Sequence, residues 1–221
     1  MTHSPARRRP RPRTTVRRLP DKQVHDVAAR DAVLDQGLIA HVAVAEDGQP
    51  YVVPLAYARD GERLLVHGST ASRTLRSLGD GASTCVTVTV VDGIVIARSQ
   101  FESSMRYRSV MMLGRFSRLH GEDQEAGLAV LARRLLPGLE GARPPAAKEL
   151  AATMVLALPL TEWSLKVSAG HPEDDPADLD RPVWAGTVPL HHTWGTPEPA
   201  PDLAPGIEVP AALRHWPAGR T

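Results

Sequence analysis

Residues 67–73 bring a glycine, three hydroxyl side chains and an arginine together over seven positions. The segment reads His67-Gly68-Ser69-Thr70-Ala71-Ser72-Arg73, and the apolar residues around it predict that it joins a strand to a short helix. A hydroxyl group can donate a hydrogen bond to a phosphate oxygen, and Arg73 adds a charged, bidentate donor. Helix N-termini also favour anions. The pattern predicts a phosphate site, with a plain helix cap and a solvated arginine as the alternative.

His67 is the first residue of this segment and follows the apolar run 64–66. Its imidazole can donate a hydrogen bond to a bound cofactor, ligate a metal, or form the polar end of a strand. The neighbouring sequence holds no cluster of Cys or carboxylate residues, as a zinc-type site would require. All three roles stay open at this point.

Two further segments carry candidate contacts. Val53-Pro54-Leu55 belongs to an apolar strand, and Pro54 is compatible with a strand only at an edge or a bulge. The other segment is Tyr107-Arg108-Ser109-Val110, in which the Arg and Ser side chains suit phosphate or carbonyl oxygens and the Tyr ring can stack. The alternative for both segments is ordinary strand packing.

The chain offers no nucleophile of its own. Cys85 is the single cysteine and lies in the apolar run 84–91, which predicts a buried thiol. No Gly-x-Ser-x-Gly elbow accompanies a Ser-His-Asp set. Any reaction at these segments therefore depends on a bound cofactor.

Hydrophobic periodicity and turn residues predict short strands with two or three helices, a mainly β (α+β) fold that suits a small barrel. The predicted helices cover 20–36, 70–78 and 121–136. The predicted strands cover 38–45, 50–58, 63–67, 84–91, 94–99, 107–119, 153–160 and 162–168. Asp-Gly pairs at 47–48 and 60–61 join the first three strands into an antiparallel meander, and Asp92-Gly93 is interpreted as another turn.

Charge and proline content divide the 221 residues into three parts. Residues 1–18 hold seven arginines and no acid, which predicts a disordered arm, and residues 19–170 form the domain. The proline-rich residues 171–221 are predicted to be an extended tail that wraps the domain or a partner. The arm lacks aromatic residues for base stacking, so nucleic acid is not an expected partner. No apolar stretch approaches about 18 residues, so a membrane is not expected either, and a cytoplasmic location follows.

The order and spacing of four segments resemble the pyridoxamine 5′-phosphate oxidase-related proteins. These segments are 48–55, 67–73, 90–99 and 107–115, and the resemblance extends from about residue 18 to residue 194. Within that family the chain is most similar to the flavin-nucleotide-binding, nitroimidazole-resistance-type branch. No single motif is specific, and the resemblance depends on their order.

The resemblance implies an FMN-binding split β-barrel that forms a homodimer, with FMN between the subunits and a small organic substrate beside it. Val53, Pro54 and Leu55 would pass beside the flavin ring. The phosphate would be held by His67, Gly68, Ser69, Ser72 and Arg73. From the second subunit would come Tyr107, Arg108, Ser109 and Val110.

The implied activity is that of an oxidoreductase, because a flavin carries the redox chemistry. The alternatives are a non-enzymatic flavin or haem binder, with His67 as the iron ligand, and a reductase that uses the deazaflavin F420. Residues 162–166 read Glu-Trp-Ser-Leu-Lys where pyridoxamine phosphate oxidases carry an Arg-x-His-type signature, so pyridoxamine phosphate is not the expected substrate.

Overall fold

The computed structural model describes residues 12–136, 138 and 141–214. Its centre is one largely antiparallel sheet of ten strands in the order β1-β9-β6-β5-β2-β3-β4-β8-β7, with β10 added beside β5. The strands are β1 (Gln23–Val24), β2 (Ile39–Glu46), β3 (Gln49–Asp60), β4 (Arg63–Ser69), β5 (Ser83–Ile96), β6 (Ser104–Arg115), β7 (Ser117–Leu119), β8 (Thr153–Pro159), β9 (Trp163–Ser168) and β10 (Gly186–Pro189). The helices are α1 (Val27–Gln36), α2 (Arg73–Gly79), α3 (Gly121–Leu135), α4 (Ala147–Ala152) and α5 (Ala211–Arg214). The predicted mainly β split barrel is confirmed.

The sheet curls around an aliphatic core, because alternate residues of each strand point inward. Val42, Val86, Val110 and Leu165 are fully buried on neighbouring strands of this inner face. Helices α1 and α2 add Val33, Leu34, Leu75 and Leu78 to the same cluster. At the α1 end, the Tyr57 hydroxyl donates a hydrogen bond of 2.6 Å to the Leu34 carbonyl oxygen. The helices thus close the barrel rather than cover its outside.

Helix α3 covers the outside of the sheet at β3, β4, β7 and β8. Leu131 packs there with Leu65, Leu119 and Val155 in a second, smaller cluster. Gly127 marks the closest approach, since a Cβ at this position would lie 3.1 Å from a methyl of Val155. This cluster fixes the outer side of β4, the strand that carries His67.

The remaining outer surface of the sheet is not covered by a helix in the described part of the chain, and we call it the open face. Its residues alternate with the buried ones on five adjacent strands. They are Val52 and Pro54 of β3, His41 and Ala43 of β2, Cys85, Thr87 and Thr89 of β5, Tyr107, Ser109, Met111 and Leu113 of β6, and Lys166 of β9. Cys85 is half-buried on this face, so the prediction of a core thiol is wrong, and burial raises its pKa.

Two predicted boundaries are wrong for local reasons. The helix predicted over 20–36 begins at Val27, because the Asp26 side chain accepts hydrogen bonds from the amides of Ala28 and Ala29 and caps it there. Residues 20–22 form a 3₁₀ turn and β1 follows. The strand predicted over 107–119 is interrupted at Phe116, which is buried, so that β7 leaves β6 and pairs with β8.

Asp92-Gly93 is not a hairpin turn. Residues on both sides of it pair with β6, Val91 with Tyr107 and Gly93 with Arg106, so the pair forms a bulge within one long strand. Gly93 has a φ of 148°, which favours glycine. The chain reverses instead after Ile96 and returns as β6 at Ser104.

Both predicted tails contact the domain. In the arm, residues 1–11 lie outside the described residues, whereas Arg13 forms an ion pair of 2.6 Å with Glu162, so residues 12–18 are not a free arm. In the C-terminal tail, β10 pairs with β5 over Gly93–Ile96, an element that periodicity did not predict. Helix α4 was likewise not predicted.

Candidate functional site

The segment predicted to bind phosphate joins β4 to α2. Gly68 allows the close contact of these elements, since a Cβ there would lie 2.5 Å from Cδ1 of Leu75. The Ser69 hydroxyl accepts a hydrogen bond of 3.1 Å from the Ala71 amide. The Ser72 hydroxyl accepts one of 3.3 Å from the Leu75 amide and caps α2. Each hydroxyl uses a lone pair here, so its proton remains available for a phosphate oxygen.

Arg73 is held from two sides. Its Nε lies 3.1 Å from Oε2 of Glu46, at the end of β2. Its guanidinium carbon lies 4.4 Å from the ring centre of Tyr51, on β3. The Arg73 side chain nevertheless keeps 62% of its surface exposed, so it can bind an anion without leaving Tyr51.

Glu46 has one carboxylate oxygen that accepts no hydrogen bond from the described residues. Oε1 is buried and lacks a hydrogen-bond partner among the described residues, while Oε2 contacts Arg73. A buried carboxylate oxygen without a partner is costly, so a donor at this corner would be favourable. We call Glu46, Tyr51 and Arg73 the arginine corner.

The arginine corner borders an open depression of about 660 Å³ between the end of β2 and α2. Its lining includes Arg73 and Arg76 and the acidic Glu46, Asp47 and Asp80. Acidic side chains outnumber basic ones here, so the depression as a whole does not attract anions. A phosphate would be held by Arg73 and the nearby hydroxyls, at the rim.

His67 and Ser69 lie on the same side of β4, whereas Gly68 faces α2 and the core. His67 keeps part of its surface exposed, and the partial burial of its imidazole lowers the pKa below the ordinary value. The imidazole is therefore neutral at pH 7, the form that ligates metals. In this state it adds no charge to a phosphate site.

The segment 53–55 divides between the two faces of β3. Val53 and Leu55 pack against the core, while Pro54 lies on the open face opposite His41. Residues 49–56 of β3 pair with β2, and its pairing with β4 begins only at Tyr57. Pro54 therefore occupies an edge position, as predicted, and a ring beside β3 would contact Pro54 and the backbone.

The segment 107–110 also divides between the faces of its strand. Val110 is fully buried, and Arg108 binds Asp92 through hydrogen bonds of 2.6 and 2.9 Å that raise the pKa of its guanidinium. Ser109 shares a hydrogen bond of 2.9 Å with Thr89 on the open face. The Tyr107 ring centre lies 6.0 Å from the Lys166 amine. The polar groups at this end of the open face are thus Tyr107 and Ser109, with Lys166 and Thr89 beside them.

One chain does not bring the predicted phosphate segment and the segment 107–110 together. Val44 of β2 pairs with Thr84, while Arg108 pairs with Val90. Extending the pairing of β2 with β5 by two residues places Glu46 opposite residue 82, which is eight residues before Val90. Arg73, which contacts Glu46, therefore lies roughly 25 Å from Arg108 along the strands. Within one chain the two predicted segments therefore lie far apart.

The sequence reasoning missed three residues that the structure places at these sites. Glu46 and Tyr51 hold Arg73, and His41 lies on the open face beside Pro54 and Thr87. The signal for His41 was its position at the centre of an alternating strand. Over the described ranges, no three His, Cys, Asp or Glu side chains cluster as metal ligands would.

Comparison with known proteins agrees with this architecture. The family model for pyridoxamine 5′-phosphate oxidase matches residues 26–167, from the N-cap of α1 to the end of β9. The chain belongs to the pyridoxamine 5′-phosphate oxidase family. Among curated protein sequences none matches it.

Two solved structures of this oxidase family resemble nearly the whole chain. The FAD- and haem-binding protein of Mycobacterium smegmatis is 42% identical, with a TM-score of 0.84 over 87% of this chain and 96% of that one. The flavocytochrome Anf3 of Azotobacter vinelandii is 38% identical, with a TM-score of 0.86 over 91% of this chain and 94% of that one.

A more distant structure agrees in fold. It is a 5-nitroimidazole antibiotic resistance protein of Bacteroides thetaiotaomicron, 19% identical, with a TM-score of 0.55 over 66% of this chain and 86% of that one. The expected resemblance to the nitroimidazole-resistance branch is therefore met at the level of fold. In the described part of this chain, no helix is both long enough and apolar enough to cross a bilayer.

Proposed function

We propose that this chain is a redox protein that binds a flavin and a haem, and that it works as a homodimer. The observation that carries the proposal is the similarity of nearly the full chain to an FAD- and haem-binding protein, at 42% identity, and to a flavocytochrome, at 38% identity. One of them binds FAD, so we take FAD as the flavin in place of the FMN expected from the sequence. The two flavins share the ring and the phosphate next to the ribityl chain, and the same anchor suits both.

The arginine corner supports the flavin. Arg73 is positioned by Glu46 and Tyr51 and remains exposed, and the Ser69 and Ser72 hydroxyls lie on the same connection between β4 and α2. A charged arginine with adjacent hydroxyls is the donor set that a phosphate group requires. We assign the flavin phosphate to this corner.

His67 supports the haem. Its lowered pKa keeps the imidazole neutral at pH 7, and neutral imidazole is the common protein ligand of haem iron. A neutral imidazole is compatible with iron ligation, and we take His67 as the haem ligand of this proposal.

The bound flavin would supply hydride or single-electron chemistry, and this chain's residues would bind and orient it. Arg73 and the hydroxyls would fix the phosphate, and Pro54 would limit one side of the ring. Because Tyr107 and Ser109 lie roughly 25 Å from Arg73 in one chain, they would reach the flavin from the second subunit. This requirement is the argument for the homodimer.

The test is the cofactor content of the purified protein. We expect flavin absorbance near 450 nm and a Soret band near 400 nm, with FAD as the flavin released on denaturation. Release of FMN would keep the flavin proposal and change its form. A colourless protein that gains no flavin on titration, or one that releases F420, would overturn it. A protein that contains flavin but shows no Soret band after haem is added would overturn the haem part of the proposal.

A further inference from the structure

Three exposed apolar side chains form a cross-strand row at the far end of the open face, and an exposed phenylalanine lies in the adjoining turn. Val188 of β10 pairs with Ile94 of β5, and Ile94 pairs with Met105 of β6. Cross-strand partners point to the same side of a sheet, and these three side chains are 47%, 41% and 46% exposed. Phe101, in the turn between β5 and β6, is 88% exposed. We call these four residues the hairpin patch.

The hairpin patch continues the surface that carries Tyr107. Met105, Tyr107 and Ser109 are alternate residues of β6 and so point to the same side. The bulge at Asp92-Gly93 restores the matching alternation on β5, which brings Ile94 onto this side. The patch and the proposed flavin contacts of the second subunit are therefore one continuous surface.

Strand β10, which carries Val188, packs closely against β5 at Gly93. Gly93 has no side chain where β10 passes, and a Cβ there would collide with the backbone oxygen of Val188. Beyond the ladder, the Leu190 amide donates to the Asp92 carbonyl oxygen at 3.0 Å. These contacts fix Val188 in the row rather than leaving it on a loose tail.

A buried ion pair anchors the chain ahead of β10. Asp174, only 2% exposed, accepts hydrogen bonds from the Arg98 amide and from its guanidinium, at 2.5 and 2.8 Å. Asp174 and β10 lie beyond residue 167, where the match to the family model ends. The ion pair with Arg98 holds this part of the chain against the domain.

We propose that the hairpin patch of one subunit covers the flavin bound at the arginine corner of the other subunit, so that the C-terminal tail forms part of the partner's cofactor site. This inference rests on the proposed flavin-binding homodimer. The flavin ring is flat and largely apolar, and it needs a dry cover that the charged arginine corner does not provide. The occupant of the patch is therefore a second copy of this chain with its flavin.

The first test replaces Val188 by Asp and measures the affinity for FAD. A charge in the apolar row should raise the dissociation constant about tenfold or more, since the burial of a valine side chain is lost. Ile207→Asp is the control, because Ile207 is a 59% exposed tail residue away from the row. Phe101→Ser tests the same patch without touching β10 and should act in the same direction.

The second test asks whether the contribution crosses the subunit boundary. A heterodimer of one Arg73→Ala chain and one Val188→Asp chain is isolated with two different affinity tags. If the patch covers the partner's flavin, one of its two sites keeps both native residues. The heterodimer should then hold about half the flavin of the native dimer at a concentration where both mutant homodimers stay nearly empty.

The outcomes separate the inference from the proposed function. A heterodimer as empty as the mutant homodimers would place Val188 at its own subunit's site and overturn the inference. So would Val188→Asp and Phe101→Ser variants that bind FAD like the native protein. A native chain that is monomeric when loaded with FAD would overturn the proposed dimer, and the inference with it. If Arg73→Ala alone had no effect, the phosphate assignment would fail while the Val188 comparison still decided the inference.

Discussion

Arg73 lies where the end of β2, the start of β3 and the start of α2 meet. Its contacts with Glu46 and Tyr51 orient the guanidinium without burying it. An arginine already held in place loses little conformational freedom when it binds an anion. The corner is therefore more suited to a phosphate than a mobile surface arginine would be.

Replacing Arg73 by Ala should weaken flavin binding about tenfold to a hundredfold, because one charged hydrogen-bonding group is lost. Titration of the apo protein with FAD, followed by flavin fluorescence, measures the change. Arg143→Ala is the matched control, since Arg143 is also exposed and paired with a glutamate, Glu149, away from the corner. Equal affinities in the two variants would place the phosphate elsewhere.

His67 should be the haem ligand, so His67→Gln should abolish the Soret band and leave the flavin spectrum intact. His41→Gln is the control, because His41 is exposed on the open face and unconnected with β4. Burial lowers the pKa of His67, and a proton competes with iron for the imidazole, so the affinity for haem should begin to fall only when the pH drops below this lowered pKa. A Soret band retained in His67→Gln and lost in His41→Gln would reverse the assignment.

At the scale of elements, helix α1 is fastened to the sheet by a buried arginine. Arg30 is 1% exposed, donates to Glu62 at 2.9 and 3.0 Å and to the Leu160 carbonyl oxygen at 3.2 Å, and lies 5.1 Å from the Trp163 ring centre. Its apolar stem and its charged head are both used. This residue joins α1 to the connections that precede β4 and β9.

Arg30→Ala should lower the free energy of unfolding by about 3 kcal/mol, because it leaves a cavity and a carbonyl oxygen without its donor. Arg13→Ala removes a similar two-bond contact with Glu162, but at a side chain that is 70% exposed. That variant should change stability far less than Arg30→Ala, because an exposed ion pair is screened by solvent. Urea denaturation of both proteins gives the comparison, and similar losses would contradict the role given to Arg30.

Gly93→Ala should release β10 from β5 and cost about 2 kcal/mol or more, since the new Cβ meets the Val188 backbone and φ is 148°. Limited proteolysis should then cut the tail faster than in the native chain. Gly141→Ala is the control, because no atom lies within 4 Å of its Cβ position. Equal protection of the tail in both variants would show that β10 does not need the glycine.

The sequence predicted the elements that local signals define. Asp-Gly pairs at 47–48 and 60–61 gave the meander β2-β3-β4, because a two-residue turn there joins strands that pair with each other. The same signal gave a wrong turn at Asp92-Gly93. The residues on both sides of this pair are bonded to β6, and the glycine lies in a β-bulge. Strand β10 was missed because it pairs with residues 93–96 of β5, about ninety residues earlier in the chain, and no local pattern predicts such a distant partner.

The candidate site was predictable to a similar extent. The hydroxyl and arginine residues of 67–73 could be recognised because they are consecutive in the chain. Glu46 and Tyr51 could not, because only the fold brings the β2–β3 hairpin beside α2. The division of 53–55 and 107–110 between two faces follows from strand alternation, which separates core residues such as Val110 from surface residues such as Ser109.

At the scale of the molecule, the open face distinguishes this chain from a self-contained barrel. Val52 is 60% exposed there, next to Ala43 in the pairing of β3 with β2, and half-buried Cys85 and Leu113 follow in the same row. An apolar row of this kind on a sheet that α3 covers only in part is typical of an interface. The two halves of the proposed site, roughly 25 Å apart in one chain, require the same partner.

Val52→Arg should therefore dissociate the dimer and weaken flavin binding together, because a charge is placed in the apolar row that the second subunit covers. Leu136→Arg is the control, since Leu136 is 55% exposed at the end of α3 and away from the open face. Sedimentation equilibrium gives the mass of each variant, and FAD titration gives its affinity. Circular dichroism should show that both variants keep the native sheet, because neither side chain belongs to the core. A monomer that binds FAD with native affinity would separate cofactor binding from dimerisation and confine the site to one chain.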